Sequence, residues 1–345
     1  MRRVETIFVV VAIGFYVWFL SHFGPGKILG YVRLAGWGLA LTISLEAFAR
    51  IANTLGWRVT IENYPPRLPF RRLFAARIAG EAVDYTTPSA QLGGQFVMAL
   101  MVRRDLRMAV GLATAIVAAL AESIGQIVFV AAALAFSLRL IPAAADLYRP
   151  IAGGFALAVA LAAGFFFVQM KHPFSHLRSV AEKFDFTRDD AERMRESAGE
   201  ADALLLDIYS RHRRRVLLSC LYYTAAWSLG PVEIYILLKL LHQPASITVA
   251  LLVEALGLLI ERAMFLIPAK LVSQEGGKAL ILSLVGYPAG IGFAIGFLRR
   301  IKEMVWVLAG LACLAIHRMA AERAGGAVSP GEMMEMQRVQ GEQSL

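Results

Sequence analysis

Apolar residues run along this chain in long blocks separated by short polar interruptions. The blocks lie at 6–20, 31–49, 109–138, 151–170, 216–241, 247–267, 279–298 and 304–317. Crossing a bilayer as a helix takes roughly 20 apolar residues, and a few of the blocks need flanking residues to reach that length. The pattern predicts an all-α protein, a polytopic membrane helix bundle of about 7–8 spans. The first block follows the basic start MRR and looks like a signal peptide, but SHFGPGK comes after it instead of a small-x-small cleavage site. It is therefore read as a retained first span.

The interruptions carry more information than the blocks. EAVDYTTPSAQLGG, residues 81–94, is polar and breakable between two apolar segments. Arg58, Arg67, Arg71, Arg72 and Arg77 precede it, and Arg103, Arg104 and Arg107 follow. Cytoplasmic loops carry an excess of Lys and Arg, so Arg2 and Arg3 place the N-terminus in the cytoplasm, and both flanks of 78–102 lie on that side too. A segment with both ends on one face cannot be a complete span. It is predicted to be a re-entrant hairpin broken at Thr87-Pro88, because Pro88 has no amide donor and disfavours helix at the residue before it. Gly93 and Gly94 then let the backbone turn or approach a neighbouring helix closely. Broken backbone at membrane depth is tolerated only where it is buried in protein or lines a wet cavity, so this stretch should face inward.

Residues 247–278 repeat the arrangement: an acid-bearing apolar helix, Pro268, the polar run ending Gln274-Glu275, and the pair Gly276-Gly277. Corresponding interrupted segments in two halves point to a transporter-like site. The predicted organisation is a first membrane repeat over 1–170 with a hairpin near 78–102, and a charged cytoplasmic loop over 171–215. A second membrane repeat follows over 216–318 with a hairpin near 247–278, then a disordered tail over 319–345. Charge placement suggests that the repeats are inverted. On that reading the block 279–298 returns inward and sets Arg299, Arg300 and Lys302 in the cytoplasm, and the tail leaves on the outer face. In the loop, Thr187 and Asp190 resemble a capping box, and Ala191, Met194, Ala198, Ala201, Leu204, Leu205 and Ile208 recur at helical spacing. That predicts a solvated amphipathic helix lying near the membrane surface.

Composition supports the membrane reading: 58% of residues are hydrophobic, only 18% are charged, and the mean hydropathy is +0.59. The net charge of +9 would suggest nucleic acid in a soluble protein. Here the arginines cluster at span ends, so no nucleic-acid partner is expected. Cys220 and Cys313 both lie in apolar segments and form neither a disulfide framework nor a zinc spacing. No catalytic motif occurs, the six histidines lie at span ends or in loops, and no metal or cofactor is expected. A phosphatase acting on lipid phosphates would need a Ser, His or Arg cluster on its hairpins, and the first hairpin offers Ser89 with no base between Arg77 and Arg103.

Ionisable residues inside spans are costly and mark pathways or internal pairs. They are Glu46, Arg50, Glu81, Asp84, Glu122, Glu233, Glu254, Glu261, Arg262 and Glu275. Glu46 and Arg50 are spaced i,i+4 and should neutralise each other near the cytoplasmic end. Glu81 and Asp84 share a helix face and could hold a proton, a cation or a lipid ammonium, or pair with Arg299 or Arg300.

The run from Asn53 through Trp57-Arg58, AGEAVDYTTPSAQLGGQ and Glu122 resembles the lysylphosphatidylglycerol synthase transmembrane-region family of flippase-like proteins. The pair Trp57-Arg58 stands in reverse order to the family's Arg-Trp-like pair. Gln274, Glu275, Gly276, Gly277, Arg299, Arg300 and Glu303 resemble the family branch found with hopanoid biosynthesis. The founding members join such a region to a soluble aminoacyl-transfer domain, and here only the tail follows the last span. The resemblance therefore implies lipid translocation and not aminoacylation, and the missing catalytic motifs lead to no expected enzymatic activity; the expected location is a bacterial inner membrane. The expected partner is a membrane lipid, either a phospholipid, an isoprenoid-linked lipid or a hopanoid. A non-transporting scaffold for a lipid-biosynthesis enzyme, contacted through 171–215, is the alternative. The expected lipid site is lined by Glu81, Asp84, Gln91, Gln95 and Glu122 from one half, and by Arg262, Gln274, Glu275, Arg299 and Arg300 from the other. Pro88, Gly93, Gly94, Pro268, Gly276 and Gly277 are the expected hairpin and hinge positions.

Overall fold

The computed structural model describes residues 25–62, 64–86, 92–140, 207–263 and 273–326, with a few isolated positions between 153 and 205. Among the described residues the chain is helical and no strand occurs. The blocks at 6–20 and most of 151–170, and the breaks at Thr87–Gln91 and 264–272, lie outside them, as do Pro88 and Pro268.

Helix α1 (Pro25–Ala35) opens on proline, whose missing amide costs nothing at a first helical position. Gly36, at φ +49, then turns the chain into α2 (Gly38–Ile61). The block read as one span over 31–49 is therefore interrupted, and its helix continues to Ile61. The first hairpin is α3 (Phe70–Thr86) and α4 (Leu92–Val102), which pack on each other. Helix α5 (Met108–Leu140) follows and packs against α4.

The block 216–241 divides at Ser228 into α6 (Arg213–Trp227) and α7 (Leu229–Leu240). The break has a local cause: Pro231 cannot donate to the carbonyl four residues back and crowds it. The second hairpin is α8 (Ile247–Ala263) and α9 (Ser273–Leu284), and α10 (Ala289–Gly326) completes the bundle. Helices α7 and α9 end alike. His242 and Gly286 take positive φ, and the amides of Gln243 and Tyr287 reach back to Leu238 and Leu282 oxygens at 2.9 Å. Each is a helix stop completed by a proline one residue later.

The largest departure from expectation concerns α10. The blocks 279–298 and 304–317 are not two spans with Arg299, Arg300 and Lys302 exposed in the cytoplasm between them. Residues 279–284 belong to α9, and the three basic residues sit inside one continuous helix. At 1.5 Å per residue, Arg299 lies about 15 Å along α10, and Arg300 and Lys302 are buried. Charge read as a span boundary is here charge compensated inside the bundle. Helix α10 runs antiparallel to α3: Glu303 meets Tyr85, Gly310 meets Ile78, and His317 lies in the field of Arg72, Arg103 and Arg104. Its C-terminal end therefore lies beside the basic residues that flank the first hairpin.

Each long helix packs on the hairpin beside it and on the first helix of the other hairpin. Helix α5 contacts α4 and α8, and α10 contacts α9 and α3. One apolar cluster joins Trp57, Leu73, Val97, Met98 and Tyr223, and another joins α7, α8, α9 and α10 around Leu237, Val253, Leu282 and Ile295. Leu205 and Ile208 are buried against Phe96, Ala109 and Ile116. The apolar face at the end of the charged loop therefore packs on α4 and α5. Trp37, Phe48, Leu217, Leu221, Leu308 and Ile316 point outward, an apolar exterior that suits lipid. Two helices among the described residues, Met108–Ser137 and Ala289–Ala320, are long and apolar enough to cross a membrane.

A buried ionic chain and a hairpin junction

Charged side chains in a bilayer interior must be paired internally. Here they form one continuous series. Glu122 of α5 accepts from Arg77 of α3 at 2.7 Å, and Arg77 donates Nε to Glu81 at 2.8 Å. Glu81 pairs with Arg50 of α2, which also holds Glu46 at 3.2 Å. Glu46 accepts from Lys302 of α10 at 2.8 Å, and Lys302 donates to Glu233 of α7 at 2.7 Å. Glu233 faces Arg299 Nε at 3.1 Å, and Arg299 grips Glu254 of α8 through both Nη atoms at 2.5 and 3.1 Å. Acids and bases alternate through six helices. The aromatic rings of Tyr223 and Trp306 lie 5.5 and 5.0 Å from the Arg77 and Arg50 guanidinium carbons. Glu46 and Arg50 are thus links in a longer series and not a self-contained pair.

A second cluster sits where the two hairpins meet. Arg300 holds Glu275 of α9 bidentately, Nε to Oε1 at 3.0 Å and Nη2 to Oε2 at 3.1 Å. Its Nη1 donates to the Tyr85 hydroxyl at 2.7 Å, and that hydroxyl donates to Glu303 at 3.0 Å. Gln274 Nε2 donates to the other oxygen of Glu303 at 2.9 Å. Tyr85 lies at the end of α3, and Gln274 and Glu275 open α9. Two helix ends from opposite halves are therefore fastened to neighbouring turns of α10. Bidentate, charge-assisted contacts give this junction a defined geometry.

The nominated residues divide among these features. Glu81 and Glu122 belong to the ionic chain with Arg299, whereas Gln274, Glu275 and Arg300 belong to the junction. Asp84 accepts the Gly94 amide at 2.7 Å, closes the neck of the first hairpin and lies in the field of Arg77. Gln95 is buried, and its side-chain oxygen meets no partner. Gln91 and the side chain of Arg262 lie outside the described residues. Gly94 and Gly80 face each other so closely that a Cβ on either would press on the other's carbonyl oxygen, at 2.6 and 2.7 Å. At Gly277 an added Cβ would meet only Ile260, at an ordinary 3.4 Å. The close approach in the second half is made by Gly296 instead, where a Cβ would stand 2.7 Å from the Glu275 Cα.

Sequence reasoning missed Arg77, Tyr85 and Lys302. Arg77 was detectable, because it stands four residues before Glu81 on the same helix face. Tyr85 and Lys302 gave no such signal: the partners of Tyr85 are over two hundred residues away in sequence, and those of Lys302 are 69 and 256 residues away. No group of three or more His, Cys, Asp or Glu suited to a metal ion occurs among the described residues.

The model of the lysylphosphatidylglycerol synthase transmembrane region matches residues 6–311. The chain belongs to that family. It is accordingly a membrane protein of a family tied to lipid metabolism. No curated protein and no solved structure matches it.

Proposed function

We propose that this family member moves a lipid between the two leaflets of the bilayer, without enzymatic turnover. The observation that carries the reading is the hairpin junction, where Tyr85 from one half and Gln274 and Glu275 from the other converge on Arg300 and Glu303. Polar helix ends at membrane depth, surrounded by lipid-compatible exterior, suit a headgroup that must cross while its chains stay in hydrocarbon.

Two inverted repeats are part of this reading, within a bundle of about 7–8 spans. The reciprocal packing of α5 on α8 and of α10 on α3 supports two equivalent halves. The antiparallel run of α10 along α3 supports inversion. The first hairpin begins and ends near the basic loops, and the second ends beside the start of α10, at the far end. With the positive-inside rule, the basic loops and the N-terminus lie in the cytoplasm of a bacterial inner membrane. The likeness of Gln274 through Glu303 to the hopanoid-associated branch keeps a hopanoid among the candidate lipids beside phospholipids and isoprenoid-linked lipids.

The test is movement of tail-labelled fluorescent lipids between leaflets of proteoliposomes, read by reduction of the accessible label. Wild-type protein should render the inner-leaflet label reducible. Glu275→Gln, which leaves Arg300 half paired, should slow that movement about tenfold or more while the protein stays folded. No movement by wild type across phospholipids, isoprenoid-linked lipids and hopanoids would overturn the reading.

A further inference from the structure

The described acids at the basic end of the bundle are already engaged. Glu62 serves Arg58 and Arg215, Asp105 serves Arg72, Glu200 serves Arg107 and Asp207 serves Arg211. Among the described side chains at that end, Arg67, Arg71, Arg213, Arg214 and Arg318 are exposed and meet no carboxylate.

Two of these stand at the head of an outward apolar stripe. Arg214 shares a face of α6 with Leu217, Leu218 and Leu221, and Arg213 lies one turn before Leu217. The three leucines are 64%, 43% and 65% exposed. Side chains on a helix lean toward its N-terminus, so both arginines reach past the end of the stripe toward water. No such stripe follows Arg71: Phe74, Ala75 and Ile78, at the same spacings, are half-buried or buried. The placement does not serve the helix either. Cations in a first turn oppose the helix dipole, and α6 opens with Arg213, Arg214 and Arg215 and no acid.

Outward leucines capped by unpaired positive charge match an amphiphile with an anionic head. A second copy of this chain, related by a two-fold axis, would set the same arginines against each other. A soluble acidic protein would leave the leucines uncovered, and a zwitterionic lipid brings its own cation. We propose that Arg213 and Arg214 hold the phosphate of an acidic phospholipid whose acyl chain lies along Leu217 and Leu221, in the leaflet that faces the basic loops. The site is on the outside of the bundle at the start of α6, whereas the hairpin junction lies at the far end of α3. It goes beyond the translocation reading and does not depend on it.

The experiment titrates the full chain, delipidated in detergent, with phosphatidylglycerol, phosphatidylcholine or inorganic phosphate. Native mass spectrometry reads bound lipid and copy number, and thermal unfolding reads stabilisation. Wild type is compared with Arg213→Gln/Arg214→Gln and with the charge-matched Arg67→Gln/Arg71→Gln. All four positions are exposed, so both variants should fold. Phosphatidylglycerol should bind and stabilise wild type and the charge-matched variant more than phosphatidylcholine or phosphate does. In Arg213→Gln/Arg214→Gln one bound phosphatidylglycerol should be held about tenfold or more weakly. Binding that is unchanged in that variant, or weakened alike in both, overturns the site. Phosphatidylcholine or inorganic phosphate that matches phosphatidylglycerol overturns the acidic lipid as its occupant. A copy number that falls in Arg213→Gln/Arg214→Gln assigns the stripe to a second copy and likewise overturns the proposal.

Discussion

The two hairpins share a sequence plan but are held shut by different forces. In the first, α3 and α4 meet backbone to backbone at Gly80 and Gly94, and Asp84 caps the contact by accepting the Gly94 amide. In the second, α8 and α9 meet more loosely at Ile260 and Gly277, with Lys278 and Glu261 at 3.6 Å between them. Its α9 is tied outward to α10, by the Glu275–Arg300 pair and by close packing on Gly292 and Gly296. The first hairpin thus closes on itself as well as on α10, whereas the second is completed by its neighbour. The paired-glycine motif shared by the two halves does not say which surface the glycines will be pressed against.

The comparison can be attacked most strongly through the ionic chain. Arg299 serves Glu233 and Glu254 at once, so Arg299→Met strands the buried Glu254, leaves Glu233 to Lys302, and should cost about 3–5 kcal/mol in unfolding measured in detergent. A loss below about 1 kcal/mol would mean that water reaches those acids and that the second half is not held by charge. The glycines give a smaller and more discriminating test. Gly94→Ala should cost about 1–3 kcal/mol, because the methyl group must displace the Gly80 carbonyl. Gly277→Ala should be neutral or stabilising by up to about 1 kcal/mol, since its Cβ has room and alanine favours helix. Equal effects at the two sites would erase the distinction between the hairpins. The smallest change is expected at Tyr223, whose hydroxyl is buried without a partner. Tyr223→Phe should shift stability by no more than about 0.5 kcal/mol.

Much of the fold was legible because membrane helices announce themselves by length and polarity. The helical class followed from the apolar runs. The continuous α10 was not legible. Hydropathy treats Arg299, Arg300 and Lys302 as a boundary, and only three-dimensional pairing with Glu233, Glu254, Glu275 and Glu46 makes them an interior feature. For the same reason the acids of the site were visible one by one, but their order was not. Which acid meets which base is decided by helices far apart in sequence, and a single chain read alone carries no record of that pairing.

Two tyrosines, the half-buried Tyr85 and the buried Tyr223, offer the most direct test of the account. Tyr85 joins the halves through Arg300 and Glu303, whereas Tyr223 packs under Arg77 with an idle hydroxyl. The decisive measurement is the rate of inter-leaflet phospholipid movement in proteoliposomes carrying wild type, Tyr85→Phe or Tyr223→Phe. The account predicts that removing the Tyr85 hydroxyl alters the rate by about tenfold while Tyr223→Phe matches wild type. Equal rates in all three folded proteins would contradict the claim that the junction of the two hairpins is where the lipid crosses.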